Sequence, residues 1–200
     1  MNYISDILYW ISTGLLVPVV VLLILFFLRS LLLIGSFFGQ YMAMRRTGSL
    51  LRKKLEGLTA HGVQGLSERL PHKGPSIVVA YMGRLLKADS AAARRKTLAD
   101  FEIEADKDLS TSKTLSKMGP MLGLMGTLIP MGPALVGLST GDIASMAYNM
   151  QVAFATTVVG LFSAAIGFMT QQVKRRWYLQ DMATLEFVAE LIDNPNKTEP

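Results

Sequence analysis

Three stretches of the chain carry no Asp, Glu, Lys or Arg: Ile7 to Leu28, Met118 to Gly141, and Ile143 to Val173. A helix needs about 20 apolar residues to cross the ~30 Å hydrocarbon core of a bilayer, so each stretch is long enough for one span. Lipid offers no partner for backbone N–H and C=O groups, and a helix is the form in which one segment satisfies its own. The expected fold is therefore an all-α membrane protein with three transmembrane helices. Composition agrees, since half of the 200 residues are apolar and only 18% are charged. The first stretch lacks the basic leader and small-residue cleavage site of a signal peptide and reads as a span.

Basic residues set the orientation. Residues 1 to 28 have none, fifteen Lys and Arg face eight acids between Tyr41 and Met118, and Lys174, Arg175 and Arg176 follow the third stretch directly. Loops rich in Lys and Arg stay in the cytoplasm, which puts the N-terminus outside and the C-terminus inside. The chain then divides into an external N-terminus (1–9), a first span with its inner extension (10–41) and a helical cytoplasmic segment (42–116). A second span (117–138), an external turn (139–146), a third span (147–173) and a cytoplasmic helix and tail (174–200) follow. Trp10 anchors the outer end of the first span, and Pro18 should kink it. Arg29 marks its inner boundary, while Lys174, Arg175 and Arg176 mark that of the third.

Within the second and third spans the small residues are ordered. Gly119, Gly123, Gly126, Pro130, Pro133 and Gly137 alternate steps of four and three, which makes one straight seam on a helix. Asn149, Ala153, Thr156, Gly160, Ser163, Gly167 and Thr170 repeat the device in the next helix. Gly119, Gly123, Gly126, Gly160, Ser163 and Gly167 are the expected sites of close helix packing. Both helices are expected to turn these sides toward a shared axis. Packing alone would explain the spacing equally well.

Over their uncharged lengths these two spans contain no carboxylate, amine, imidazole or thiol; apart from Tyr148 at the outer end, their polar groups are only Thr, Ser, Asn, Gln and backbone. Enzyme chemistry has nothing to work with there, no cofactor is called for, and any titrating group must come from another subunit. Pro130 and Pro133 remove backbone donors, so the carbonyls of Gly126 and Ile129 lose their helical partners in mid-membrane. Thr127, Thr156, Thr157, Pro130 and Asn149 are the candidate lining of an ion path. His61 and His72 have no second ligand at metal spacing, and there is no Cys. The pI near 9.5 follows from the cytoplasmic bias without a nucleic-acid partner.

The cytoplasmic part reads as helices. A turn is expected at Pro71, Gly74 and Pro75, followed by a short apolar helix. From about Ala91 one long helix should run into the membrane as far as the prolines, with Leu98, Phe101, Ala105 and Leu109 as its apolar stripe. Its acidic run, Asp100 to Asp108, reads as a solvated face with Glu104 and Lys107 compensating each other. Beyond the third span, Leu179, Met182, Leu185, Phe187, Val188 and Leu191 are available for packing.

GPMLGLMGTL, followed about thirty residues later by AFATTVVGLFSAAIG, resembles the TolQ, ExbB and MotA family of motor subunits. Pro120, Leu122, Gly123, Leu124, Gly126 and Thr127 fall on the first motif of that family, and Thr157, Gly160, Leu161 and Ala165 on the second. Three spans with a large cytoplasmic segment before a hairpin resemble the ExbB and TolQ branch. The resemblance implies a homo-oligomeric ring of five copies in the inner membrane of a prokaryote. It also implies two copies of a single-span partner like ExbD, TolR or MotB, whose Asp carries the proton while Thr127 and Thr157 face its path. Val152 stands where that branch usually has Glu, and the paired Pro130 and Pro133 are not typical of it.

Overall fold

The computed structural model describes residues 2–55 and 77–193, which form five helices: α1 (Asn2–Gly14), α2 (Leu16–Leu55), α3 (Ile77–Leu86), α4 (Ala91–Thr140) and α5 (Ile143–Asp193). The turn expected at Pro71 to Pro75 and both histidines lie outside the described residues. Three helices are long and apolar enough to cross a membrane, in the ranges Ile7–Met42, Ala91–Thr140 and Ile143–Asp193. At 1.5 Å per residue, α4 with its 50 residues and α5 with its 51 are each about 75 Å long. Each is more than twice the thickness of a hydrocarbon core, so both continue as helix beyond it.

Pro18 acts one turn upstream of itself. Its ring crowds the carbonyl of Gly14, four residues back, and it has no N–H to offer. The break between α1 and α2 accordingly falls at Leu15, whose N–H is shared between the carbonyls of Ile11 and Ser12 at 3.1 Å each. In α4 three prolines, Pro120, Pro130 and Pro133, sit inside a helix that continues to Thr140.

Between α4 and α5 there is almost no loop. Gly141 adopts a positive φ of 76°, a region open to glycine at little cost. The Asp142 N–H then reaches the Gly137 carbonyl at 2.8 Å and the Gly141 N–H that of Leu138 at 3.2 Å, which closes the last turn of α4. Asp142 also starts α5, its Oδ1 accepting the Ser145 N–H at 3.0 Å. One acidic residue ends one helix and caps the next.

The chain forms two units. The first comprises Met1–Ile34 and Thr111–Gln171. In it the α4–α5 hairpin packs on α2, where Val19 and Leu23 cluster with Leu122 and Ile129, and Phe27 meets Phe162 at 6.0 Å. The second comprises Gly35–Ser110 and Gln172–Pro200. Its core joins Val78, Met82 and Leu85 of α3 to Phe101 of α4 and Leu185 and Val188 of α5. Phe37 of α2 stacks on Trp177 at 5.7 Å. Ser90 caps α4 through the Ala93 N–H at 3.1 Å, and Arg94 pairs with Asp193 while donating to the Ala88 carbonyl at 2.8 Å.

Two expectations for the second unit change. Leu179 and Phe187 are exposed, while Leu185, Val188 and Leu191 form the buried stripe. Rotation explains this, because residues 185, 188 and 191 share the face toward α3 and α4, and Leu179 and Phe187 point elsewhere. Glu104 and Lys107 form no ion pair with each other or with any described residue. Asp108 of the same run pairs with Lys174 across the hairpin.

Candidate functional site

The two seams meet each other. A Cβ added to Gly119 would lie 2.8 Å from the Gly160 carbonyl oxygen and 3.0 Å from the Ala164 Cβ. One added to Gly160 would lie 2.7 Å from the Gly119 carbonyl and 2.9 Å from the Gly123 Cα. Gly123 faces the backbone of Thr157, Gly126 faces Thr156, and Gly167 faces the backbone of Ser112 and Ser116. The expectation that the seams themselves look onto a shared axis is therefore corrected. Their glycines are occupied in bringing α4 and α5 into close contact, and at Gly119, Gly126, Gly160 and Gly167 a Cβ would come within 3.0 Å of the opposite helix.

What remains open lies beside the seam. Thr127 follows Gly126, and Thr157 follows Thr156, so the two threonines flank one contact point at the same height. Leu122 and Phe162 mark the face turned toward α2. Thr127 is five residues from Leu122 and Thr157 five residues from Phe162, which on a helix is about 140° of rotation. Both threonines therefore occupy the side of the hairpin away from α2, and both are half-buried. Exposed Leu124, Leu128, Phe154 and Leu161 surround them.

The hydroxyls on this edge are partly committed. Thr127 donates to the Leu124 carbonyl at 2.7 Å, and Thr157 to that of Ala153 at 3.0 Å. A hydroxyl that donates backwards along its own helix keeps its oxygen lone pairs as acceptors. Thr156 differs from its neighbours. It is buried, with its hydroxyl against the carbonyls of Val152 and Ala153 at 3.0 and 2.9 Å. Pro130 is fully buried, and Asn149 is half-buried with its amide donating to the Ser145 carbonyl at 2.9 Å. Ser163 is buried and donates to the Val159 carbonyl at 2.9 Å.

Trp10, Arg29, Arg175 and Arg176 are exposed. Lys174 turns inward. It is 3% exposed, and its Nζ lies 2.9 Å from Asp108 Oδ2, to which the Tyr178 hydroxyl also donates at 2.6 Å. Burial and then the bond to Asp108 hold the Tyr178 phenol well above its usual range, so it stays a donor. Asp181, one turn further along α5, has its carboxyl pushed up to about 6 by burial. Sequence reading placed Asp108 on a solvated face, although its spacing of seven from Phe101 already sets it on the inner side of α4. Among the described residues no group of three or more His, Cys, Asp or Glu is placed to hold a metal.

The site is thus an apolar helical hairpin, long enough to cross a membrane, whose two helices are locked by glycines with two hydroxyls beside the lock. The family comparison gives it a place. Residues 77–186 match the MotA/TolQ/ExbB proton channel family, and the chain belongs to that family. It is a multi-pass membrane protein. Comparison with curated proteins finds no match.

Proposed function

We propose that the chain is the ion-channel subunit of a membrane motor. Several copies form a ring around the single-span helices of a partner, and the complex uses a transmembrane proton or sodium gradient to drive mechanical work. The observation that carries this is the placement of Thr127 and Thr157 at one height beside the α4–α5 seam, on the side away from α2. Their oxygens offer acceptors to water or to a protonated acid. The spans supply no such acid of their own, which is why the partner must. The orientation consistent with this has the N-terminus outside and the polar ends of α4 and α5 in the cytoplasm. The ring of five and the ExbB/TolQ branch remain parts of this proposal.

Close packing of the seams would serve equally in a scaffold that passes no ion, so flux must be measured. The complex, purified from native membranes through a tag on this chain, is reconstituted in vesicles, and cation uptake is followed under an imposed gradient. Thr127→Val and Thr157→Val are expected to abolish uptake while leaving the complex assembled. Full uptake in both variants would remove the ion-path assignment.

A further inference from the structure

In the second unit, α4 and α5 each carry a large apolar side chain on a side that no described residue covers. Ile103 is 67% and Leu179 61% exposed, and both lie on polar helical extensions, where lipid is not the obvious cover. The charges around them are not random. On α4, exposed Lys96 lies seven residues before Ile103 and exposed Asp106 three residues after, all on one face. On α5, exposed Arg175 lies four residues before Leu179 and exposed Glu186 seven residues after, again on one face. Each stripe thus reads charge, apolar residue, charge, at matching distances and with opposite signs when the helices run antiparallel.

Lys96, Arg175 and Glu186 form no ion pair within the described residues, whereas Asp106 also interacts within its own chain. Lys107, next to Asp106, is rotated away from it by about 100°. Inside one copy α4 already lies antiparallel to α5, with Asp108 opposite Lys174 and Arg94 opposite Asp193. That register puts Ile103 near the height of Leu179, Lys96 near that of Glu186, and Asp106 near that of Arg175. Rotation about an axis along the hairpin preserves height, so only residues level in one copy can meet between copies of a ring.

We infer that these stripes are the two halves of a copy-to-copy contact. The α4 face of Lys96, Ile103 and Asp106 docks on the α5 face of Glu186, Leu179 and Arg175 of a second copy of this chain. Because the two halves differ, the contact is heterologous, and each copy keeps one half free for the next. Apolar contact at the centre supplies attachment, and the flanking charges fix register and exclude the reversed arrangement. The inference rests on the ring reading above and specifies which surfaces close the ring.

The chain contains no Cys, so introduced thiols report only on their own positions. In isolated membranes, Ile103→Cys/Leu179→Cys oxidised with copper phenanthroline should give a ladder of covalent species beyond the dimer, while either single variant gives none. Lys96→Glu or Glu186→Lys in that background should lower the ladder yield, and the two together should restore it. Oligomer size is measured in parallel by native mass spectrometry of the complex without thiols. An oligomer whose double-thiol variant gives no ladder overturns this surface and leaves the ring standing. A monomer overturns both. A ladder indifferent to the charge reversals overturns the assigned register.

Discussion

A Cβ added to Gly126 would sit 2.6 Å from the Oγ1 of Thr156, closer than side-chain carbons approach any neighbour. The Thr156 Cβ lies at the same 2.6 Å, so shortening the threonine to alanine would not make room. Gly126→Ala is expected to destabilise the chain by about 1–3 kcal/mol through overpacking. Thr156→Gly opens that space. The double variant should therefore lose less than the sum of the two single changes, a coupling measured by thermal unfolding in detergent. Strict additivity would mean that the helices separate easily here.

The three adjacent threonines separate stability from function. Thr156 is buried against Gly126, whereas Thr127 and Thr157 are half-buried on the open side. Thr156→Val replaces a satisfied hydroxyl with a bulkier methyl in a filled space and should lower the melting temperature. Thr127→Val and Thr157→Val should change stability by no more than about 0.5 kcal/mol, as expected away from filled sites. The ion path predicts the reverse order for flux, with Thr127 and Thr157 the sensitive positions. Equal stability losses in all three would place all three hydroxyls in the core.

The spans and seams were legible because each is a local pattern: uncharged length defines a span, and a step of four and three defines a face. The four-three spacing located Gly119, Gly123, Gly126 and Gly160 without revealing what they face. That depends on the rotation of both helices, and here they face one another. The Leu15 break was displaced from Pro18 because a proline disturbs the carbonyl four residues back. The pairing of Asp108 with Lys174 joins positions 66 residues apart, which no local pattern reports. Leu179 and Phe187 looked like core by hydrophobicity alone, and rotation about α5 puts them outside.

Lys174 and Asp108 are unequal partners, the lysine side chain being 3% and the aspartate 30% exposed. Removing the acid strands an ammonium group that water cannot reach. Breaking a buried pair from one side costs about 3–5 kcal/mol, and the partial exposure of Asp108 puts Asp108→Asn at the lower end. Lys174→Met should cost less, because the acid left behind still reaches water and keeps the Tyr178 hydroxyl. The measurement is thermal unfolding of the two single variants beside Asp108→Asn/Lys174→Met. A double variant less stable than Asp108→Asn would show that the strained element is not the stranded lysine.

Asp181 gives the pH dependence. Burial raises its carboxyl from 3.8 to about 6, so the folded chain holds this proton more tightly than the unfolded chain does. The stabilising contribution is present in full below pH 3.8 and is lost as the pH rises through about 6. At pH 7.5 the native chain carries a half-buried carboxylate with no neutralising partner among the described residues. Asp181→Asn removes that charge and should raise the melting temperature at pH 7.5. The gain should shrink when both proteins are melted at pH 5, where the carboxyl is already largely protonated in the fold. A gain independent of pH would mean that Asp181 titrates as an ordinary solvated acid, and that the asparagine stabilises by packing alone.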